Sequence, residues 1–539
     1  MYVCEGGLSL VKVFYGGKFI PRTMSTQHPD NASSPSWQSE ELIEGDSEIH
    51  EAYFAYKELG CHEVMWDSEG KDTDIRVVRK LLSFNSQYFS DNVIGKNIYL
   101  TYRIPNPRVE STERKIVVET LQNITASCDV GSAFYKCDVA PIFEIILPMT
   151  TESSELLSLF NYYRKAIVGV QDIELQNSVT VRDWIGTVRP NSIQVIPLIE
   201  DMDSLLNADK IVEPYIDAVK PQYMRVFLAR SDPALNYGLI CATALSKIAL
   251  SKLKNLENRK GVPLYPIVGV GSLPFRGHLS PNNLGLFLKE YQGVSTVTVQ
   301  SGLKYDFALD NVKRVVSTLN ENLPFGETVL IDSEEQKLLL QAIKKFQTKY
   351  QLIVEDLAPL ISSVVPYIPK RRARKLHIGL FGYSRNVVEG VSLPRAITFA
   401  ATFYTLGMPA EFVGVSAFVE LTEEEQNVLD RHYINLRSDL NSVAEYFSWQ
   451  NINLLMEMYK EVAKRANMKE ERLRSGLSRF LFDINVAEDN LGIKFGPRTL
   501  KERKYENSVN NFLISYLENH DKQAKYYVNE AAQLRKSLG

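Results

Sequence analysis

Cysteine is scarce: five occur in 539 residues (Cys4, Cys61, Cys128, Cys137, Cys241), an odd number with no close Cys-x-x-Cys pair. That excludes a disulfide framework and a zinc ribbon, and it fits free thiols in a reducing cytoplasm. Neither sign of charge dominates. Lys and Arg number 61 against 65 Asp and Glu, a formal net charge of -4. Nucleic acids and anionic membranes normally leave a basic excess on the proteins that bind them, so neither is expected as a partner, whereas an anionic small molecule is compatible. Long apolar runs are missing as well. Residues 1–20 are broken by Glu5, Gly6, Gly7, Lys12, Gly16, Gly17 and Lys18, so neither a spanning helix nor a good apolar core of a signal peptide is expected there. There is no repeat, low-complexity tract or Pro/Gly-rich linker, and no P-loop with its Lys-Ser/Thr ending. What is there, 45% hydrophobic and 23% charged residues, suffices to bury a large core in one continuous unit.

Eight short runs rich in Val, Ile and aromatics read as strands: His62 to Trp66, Asn97 to Tyr102, Ile142 to Leu147, Ile193 to Ile199, Tyr223 to Leu228, Tyr265 to Val270, Ser295 to Val299, and His377 to Tyr383. Most are apolar on both faces, as a buried parallel sheet requires, and stretches long enough for helical crossovers separate them. The expected fold is α/β, a (β/α)8 barrel of the TIM type with a large additional helical layer. A doubly wound open sheet is the alternative. Barrel strands are expected within about 60–400, a helical insertion at about 307–375, and the helical layer over about 400–539, where apolar residues recur at i, i+3, i+4 spacing. Each run ends in polar residues, among them Asp67, Arg103, Glu200, Arg230-Ser231-Asp232, Gln300 and Ser384-Arg385. In either fold the C-terminal strand ends carry the chemistry.

Four segments stand out chemically. Met24-Ser25-Thr26-Gln27-His28-Pro29-Asp30-Asn31 concentrates a titratable ring, hydroxyls, an amide and a carboxylate without apolar periodicity, as expected of a site loop; a plain turn at Pro29-Asp30-Asn31 is the alternative. Glu200 and Asp232 end adjacent strands. A lone acid there usually caps the next helix, but two together offer hard oxygen ligands suited to Mg²⁺ or Mn²⁺ rather than zinc. Gly269-Val270-Gly271-Ser272-Leu273-Pro274-Phe275-Arg276-Gly277-His278 runs from a strand into a glycine-rich loop that lets backbone amides approach an anion. Several arginines supply forks that bind phosphate and carboxylate bidentately. The basic run Lys370-Arg371-Arg372-Ala373-Arg374-Lys375 reads as a solvated face, or else as charge feeding the site or binding an acidic effector.

These segments together resemble the short, archaeal-type phosphoenolpyruvate carboxylases. The His28 loop resembles their N-terminal signature, which the longer bacterial and plant enzymes carry as Thr-Ala-His-Pro-Thr. Glu200 in Pro197-Leu198-Ile199-Glu200 and Asp232 in Arg230-Ser231-Asp232 match the family's metal-ligand stretches. Arg276 takes the place of its catalytic arginine. Arg108, in Asn106-Pro107-Arg108, resembles the arginine of its Asp-Ile-Arg-Gln segment, and Arg385 and Arg395 resemble its phosphate binders. Gln300-Ser301-Gly302 is similar to its Glu-Gln-Gly, and Met65-Trp66-Asp67-Ser68-Glu69-Gly70-Lys71-Asp72 matches another typical stretch, which makes Asp67 and Lys71 site-adjacent. Val268 and Val270 stand where the longer enzymes have their second His and an Arg, so a role for that histidine does not carry over and His278 is not assigned it. The resemblance runs from about residue 20 to Lys536-Ser537-Leu538-Gly539. Family members begin near Ile20 to Met24, so residues 1–23 are expected to be a disordered extension ahead of one catalytic unit, 24–539.

The resemblance implies a cytoplasmic homotetramer that carboxylates phosphoenolpyruvate with bicarbonate, giving oxaloacetate and phosphate with Mg²⁺ or Mn²⁺, an anaplerotic step. In that chemistry bicarbonate attacks phosphorus, leaving carboxyphosphate and the pyruvate enolate, and the enolate carbon captures the CO₂ released. His28, Arg276 and Arg108 are the expected catalytic residues; Arg385, Arg395, Gly271, Ser272 and Gln300 the substrate and phosphate contacts. A metal-dependent aldolase or lyase acting on pyruvate enolates is the enzymatic alternative, and a metabolite-sensing barrel without turnover the non-enzymatic one.

Overall fold

The computed structural model describes residues 14–15, 18–38, 40, 42–71, 73–110, 112, 114–373, 385–387 and 391–539. Eight parallel strands close into a barrel: β1 Thr23–Ser25, β2 Glu63–Asp67, β3 Tyr99–Arg103, β4 Glu144–Leu147, β5 Gln194–Ile199, β6 Met224–Ala229, β7 Leu264–Gly269 and β8 Thr296–Val299. They follow one another around the barrel in chain order, each consecutive pair linked by a crossover as parallel neighbours require, and β8 pairs with β1 to close it. β2 to β8 fall within two residues of seven of the runs read from the sequence.

The eighth assignment is corrected. His377 to Tyr383 lies outside the described residues, and the barrel is closed by β1, which runs from the end of the expected extension into the segment read as a loop, with Val297 opposite Thr23, Thr298 opposite Met24 and Val299 opposite Ser25. Three residues with one apolar side chain carry no periodic signal. Only Met24 turns into the barrel, where it joins Met65, Ile146, Ile196, Leu198, Phe227 and Ile267. Thr23 faces outward, its Oγ1 donating to Asn320 Oδ1 at 2.8 Å and accepting from His62 N at 3.1 Å. The helices Leu309–Asn322 and Ser333–Val364 therefore follow the last barrel strand rather than interrupting the barrel. Packing also begins earlier than residue 24: Phe19 and Ile20 are buried, and the Phe19 ring meets those of His62 and Tyr99 edge-on.

The two barrel ends differ chemically. Near the strand starts, fully buried Arg225 donates to Glu63 Oε2 at 2.7 Å and Glu144 Oε2 at 2.8 Å, so the barrel is filled there by a charge-paired ionic cluster. Such a cluster must be matched because a lone buried charge is costly. The C-terminal end stays open beneath the remaining helices. Ser333–Val364 starts where Asp332 accepts the amides of Glu334 and Glu335, at 2.9 and 2.8 Å. Leu500–Leu517 starts with a Thr499–Glu502 capping box. Leu538 donates its amide to Asp30 O at 2.8 Å, tying the last residues to the segment after β1. Among the described residues, no helix is long and apolar enough to cross a membrane.

Candidate active site

At the C-terminal strand ends lies a cavity of about 520 Å³. Its floor is apolar (Met65, Leu198, Phe227), as is part of its far wall (Val365, Ile368, Ile397), while His28, Arg103, Glu200, Arg230, Asp232, Arg276, Gln300, Lys370, Arg371, Arg372 and Arg395 line the rest. Cations thus surround a pair of acids.

The chain leaves β5 at Glu200 and turns at once into a helix capped by Asp201, which accepts from Ser204 N at 2.9 Å. That turn holds Glu200 at the cavity rim, where its Oε2 accepts from Met149 N at 2.9 Å. Burial first, and then the charges of Asp232 and Glu69, push its carboxyl up to about 8, against the pull of Arg103. A proton or a cation relieves that excess of negative charge. Among the described residues no group of three or more His, Cys, Asp or Glu side chains has metal-binding geometry. Two carboxylates with the other positions left to substrate and water still suit a hard divalent ion, so the residues fit such a metal.

Arg276 is the hub of the site. After the short turn Pro274–Arg276, Gly277 at φ 115° reverses the chain in a conformation L side chains rarely adopt. The guanidinium folds back over Gly271, where an added Cβ would sit 3.0 Å from its Nη1. Buried to 1% exposure, Arg276 donates from Nε to Ser231 Oγ at 3.0 Å, from Nη1 to Asp30 Oδ2 at 3.0 Å and Gly539 O at 2.9 Å, and from Nη2 to Gln300 Oε1. Gln300 thus lines the cavity and holds the arginine. Gly271 and Ser272 lie outside the lining residues; the Ser272 hydroxyl is buried with no hydrogen-bond partner.

The arginine that β3 delivers to the cavity is Arg103, not Arg108. Asp67 grips it with both oxygens, at 2.9 and 2.6 Å, and Glu69 adds a third contact at 3.1 Å. Asp67 is therefore site-adjacent through Arg103. Arg108 lies on the surface, 56% exposed, against Glu152 and Glu155 at 2.9 and 3.4 Å, because the chain has by then left the strand end. Lys71 is buried and serves the His28 loop, donating to Gln27 Oε1 at 2.8 Å and to Glu48. Arg395 lines the cavity at the start of the helix Ala396–Thr405, where backbone amides also favour an anion. Arg385 opens a two-stranded pair with Val391–Leu393, and its side chain lies outside what is described.

Two members of the basic run, Arg371 and Arg372, do not form a solvated face; Lys370 is exposed, and Arg374 and Lys375 lie outside the described residues. Arg371 donates to Asn31 O at 3.0 Å and to Ala32 O at 2.5 Å, and Arg372 grips both oxygens of Glu51 at 2.6 and 2.7 Å; both are buried at the cavity wall. Arg230, also missed as a lining residue, turns back into the protein toward Tyr291 OH at 2.8 Å and Thr243 Oγ1 at 3.0 Å. For Arg103 and Arg230 the signal was present, since both stand where a strand stops. His278 pairs with Asp439 at 2.6 Å, outside the cavity lining.

A family model described as phosphoenolpyruvate carboxylase matches residues 20–539. The chain is 45% identical over 520 residues to the phosphoenolpyruvate carboxylase of Metallosphaera sedula, covering 96% of this chain and 99% of that one. It is 44% identical over 522 residues to that of Caldivirga maquilingensis (97% and 100%), and 43% over 526 residues to that of Picrophilus torridus (96% and 99%). Among solved structures, it is similar to an HpcH/HpaI aldolase from Desulfitobacterium hafniense, with a TM-score of 0.31 and 13% identity over 53% of this chain and 87% of that one.

Proposed function

Since the chain belongs to the phosphoenolpyruvate carboxylase family, we propose a division of labour among its residues for that family's reaction. The enzyme carboxylates phosphoenolpyruvate with bicarbonate to give oxaloacetate and phosphate, and the family uses a divalent metal. The observation that carries the residue assignment is the single cavity in which Glu200 and Asp232 face Arg103, Arg276, Arg395 and His28.

Glu200 and Asp232 would hold Mg²⁺ or Mn²⁺. When bound, such an ion supplies Lewis-acid stabilisation of charge developing on the enolate oxygen. Arg276, Arg103 and Arg395 bind the phosphoryl and carboxylate groups and offset their charge during transfer; Asp30, Gln300 and Asp67 keep the first two in place. Arg385 is retained as a further phosphate contact; Arg108 is replaced in this role by Arg103. His28 takes the proton from the bicarbonate-derived carboxyl, a transfer an imidazole can make near neutral pH. The apolar floor and wall keep water from the enolate carbon, which would otherwise protonate to pyruvate. An enolate aldolase would need the carboxylate pair but not this many anion-binding arginines.

We further read the chain as one catalytic unit that works as a cytoplasmic homotetramer; light scattering on the purified protein tests the oligomer. The reaction is tested by following oxaloacetate with and without bicarbonate, before and after EDTA. Oxaloacetate requiring both bicarbonate and a divalent ion supports the reading. Turnover independent of bicarbonate would overturn it.

A further inference from the structure

The contacts beneath His28 carry a step beyond the proposed function, and rest on its assignment of His28. Thr26 is 0% exposed and held on every side. Its amide donates to Val299 O at 3.1 Å, its carbonyl accepts from Lys304 Nζ at 2.9 Å, and its Oγ1 meets His28 Nδ1 at 2.7 Å. Lys304 is itself buried and anchored, donating to Ser25 Oγ at 3.1 Å and Glu51 Oε1 at 2.9 Å. Glu51 in turn accepts from Arg372 and, at 2.7 Å, from Tyr305 OH. Both backbone polar groups of Thr26 are therefore used in fixing the end of β1, and its β-branched side chain has little rotamer freedom. The hydroxyl is pointed at the ring by the barrel itself.

We propose that Thr26 is the positioning residue of His28: its hydroxyl oxygen accepts the Nδ1–H, holding the neutral ring in the tautomer whose Nε2 carries the lone pair. The nitrogen that bears the proton is set by the hydrogen bond made at the other. With Nδ1 engaged, proton exchange with the cavity falls to Nε2. The proton leaves the carboxyl hydroxyl of carboxyphosphate for Nε2. The C–O bond to phosphorus-bound oxygen then breaks, its electron pair staying with phosphate, CO₂ is released to the enolate carbon, and phosphate recovers the proton from the imidazolium. The Thr26 bond persists throughout, so the ring needs no reorientation between the two proton transfers.

Two measurements on the whole enzyme test this. In protein labelled with ¹⁵N-histidine, the His28 signals are identified by their absence from His28→Asn, and the neutral ring should show a protonated Nδ1 and an unprotonated Nε2. The opposite tautomer overturns the proposal. Next, oxaloacetate formed per phosphate released is compared in Thr26→Val and Thr26→Ser. Valine keeps the shape and loses the hydroxyl, and should lower that ratio at least about tenfold while KM for phosphoenolpyruvate stays within about twofold; serine should restore it. An unchanged ratio in Thr26→Val, or a serine variant as impaired as valine, also overturns it. Should Thr26→Val fail to fold, the wild-type tautomer and the serine variant still decide. The His28 assignment fails separately: His28→Asn would then keep one oxaloacetate per phosphate, whatever the tautomer.

Discussion

Arg276→Lys should damage both stability and rate, and the two losses have separable origins. From its position in the sequence the residue would be expected to act on catalysis alone, with folding hardly changed. The structure gives it four hydrogen bonds in a site where it is 1% exposed. A lysine keeps the charge beside Asp30 but reaches at most about two of those acceptors. Losing two bonds removes about 1 kcal/mol each, and leaving a buried acceptor such as Gln300 Oε1 unmet adds about 1–3 kcal/mol. The expected destabilisation is therefore about 3–5 kcal/mol, read as a lowered midpoint in urea by tryptophan fluorescence. Loss of a preorganised charge-stabilising donor typically costs about 10²–10³ in kcat, read by coupled reduction of oxaloacetate. Gly271→Ala separates placement from charge. Its Cβ would stand 3.0 Å from Nη1 and 3.1 Å from Cζ of Arg276, so the guanidinium must shift by a few tenths of an ångström with every charge intact, and a loss of about tenfold in kcat follows if geometry matters. Wild-type urea midpoint and turnover in Arg276→Lys would refute the hub. Normal turnover in Gly271→Ala beside an impaired Arg276→Lys would show that charge alone is needed.

Three further outcomes are expected. Glu200→Gln and Asp232→Asn should each abolish oxaloacetate formation, and EDTA should do the same to the wild type until Mg²⁺ or Mn²⁺ is restored; near-normal turnover in either variant would remove the carboxylate pair as the metal site. Arg103→Lys should lose at least about tenfold in kcat/KM, whereas Arg108→Lys, an exposed arginine on surface acids, should match the wild type; the reverse order would return the role to Arg108. Burial raises Asp483 from its ordinary 3.8 to about 7, although Gly414 N and Ser416 N each donate to it at 2.7 Å. Because the folded state holds that proton more tightly than the unfolded chain, the contribution to stability is full below pH 3.8 and lost as pH rises to about 7. Asp483→Asn should flatten that part of the profile of Tm against pH, and an unchanged slope would count against the assignment.

The strand-forming runs from His62 to Val299 were legible because a barrel strand buried on both faces must be apolar along its length, and that is a local property. The same runs put Glu200, Asp232 and Gln300 at strand ends, so the acidic half of the site could be read from the chain. The strand that closes the barrel could not. Thr23–Ser25 owes its conformation to β2 and β8 on either side, and three residues with one inward side chain make no pattern of their own. The sequence pointed to Arg108 where the structure brings Arg103 to the cavity, for a related reason: the two are five positions apart with the same chemistry, and only the direction of the chain after β3 sends one inward and the other to solvent. The burial of Arg372 within the basic run was not legible because its counter-charge, Glu51, lies more than 300 residues away in sequence. Lys304 meets Thr26 across 278 residues and Arg276 meets Asp30 across 246. Composition and periodicity report what a residue needs from its surroundings. Whether a charge finds a partner, and which partner, depends on distances that exist only after the barrel has closed.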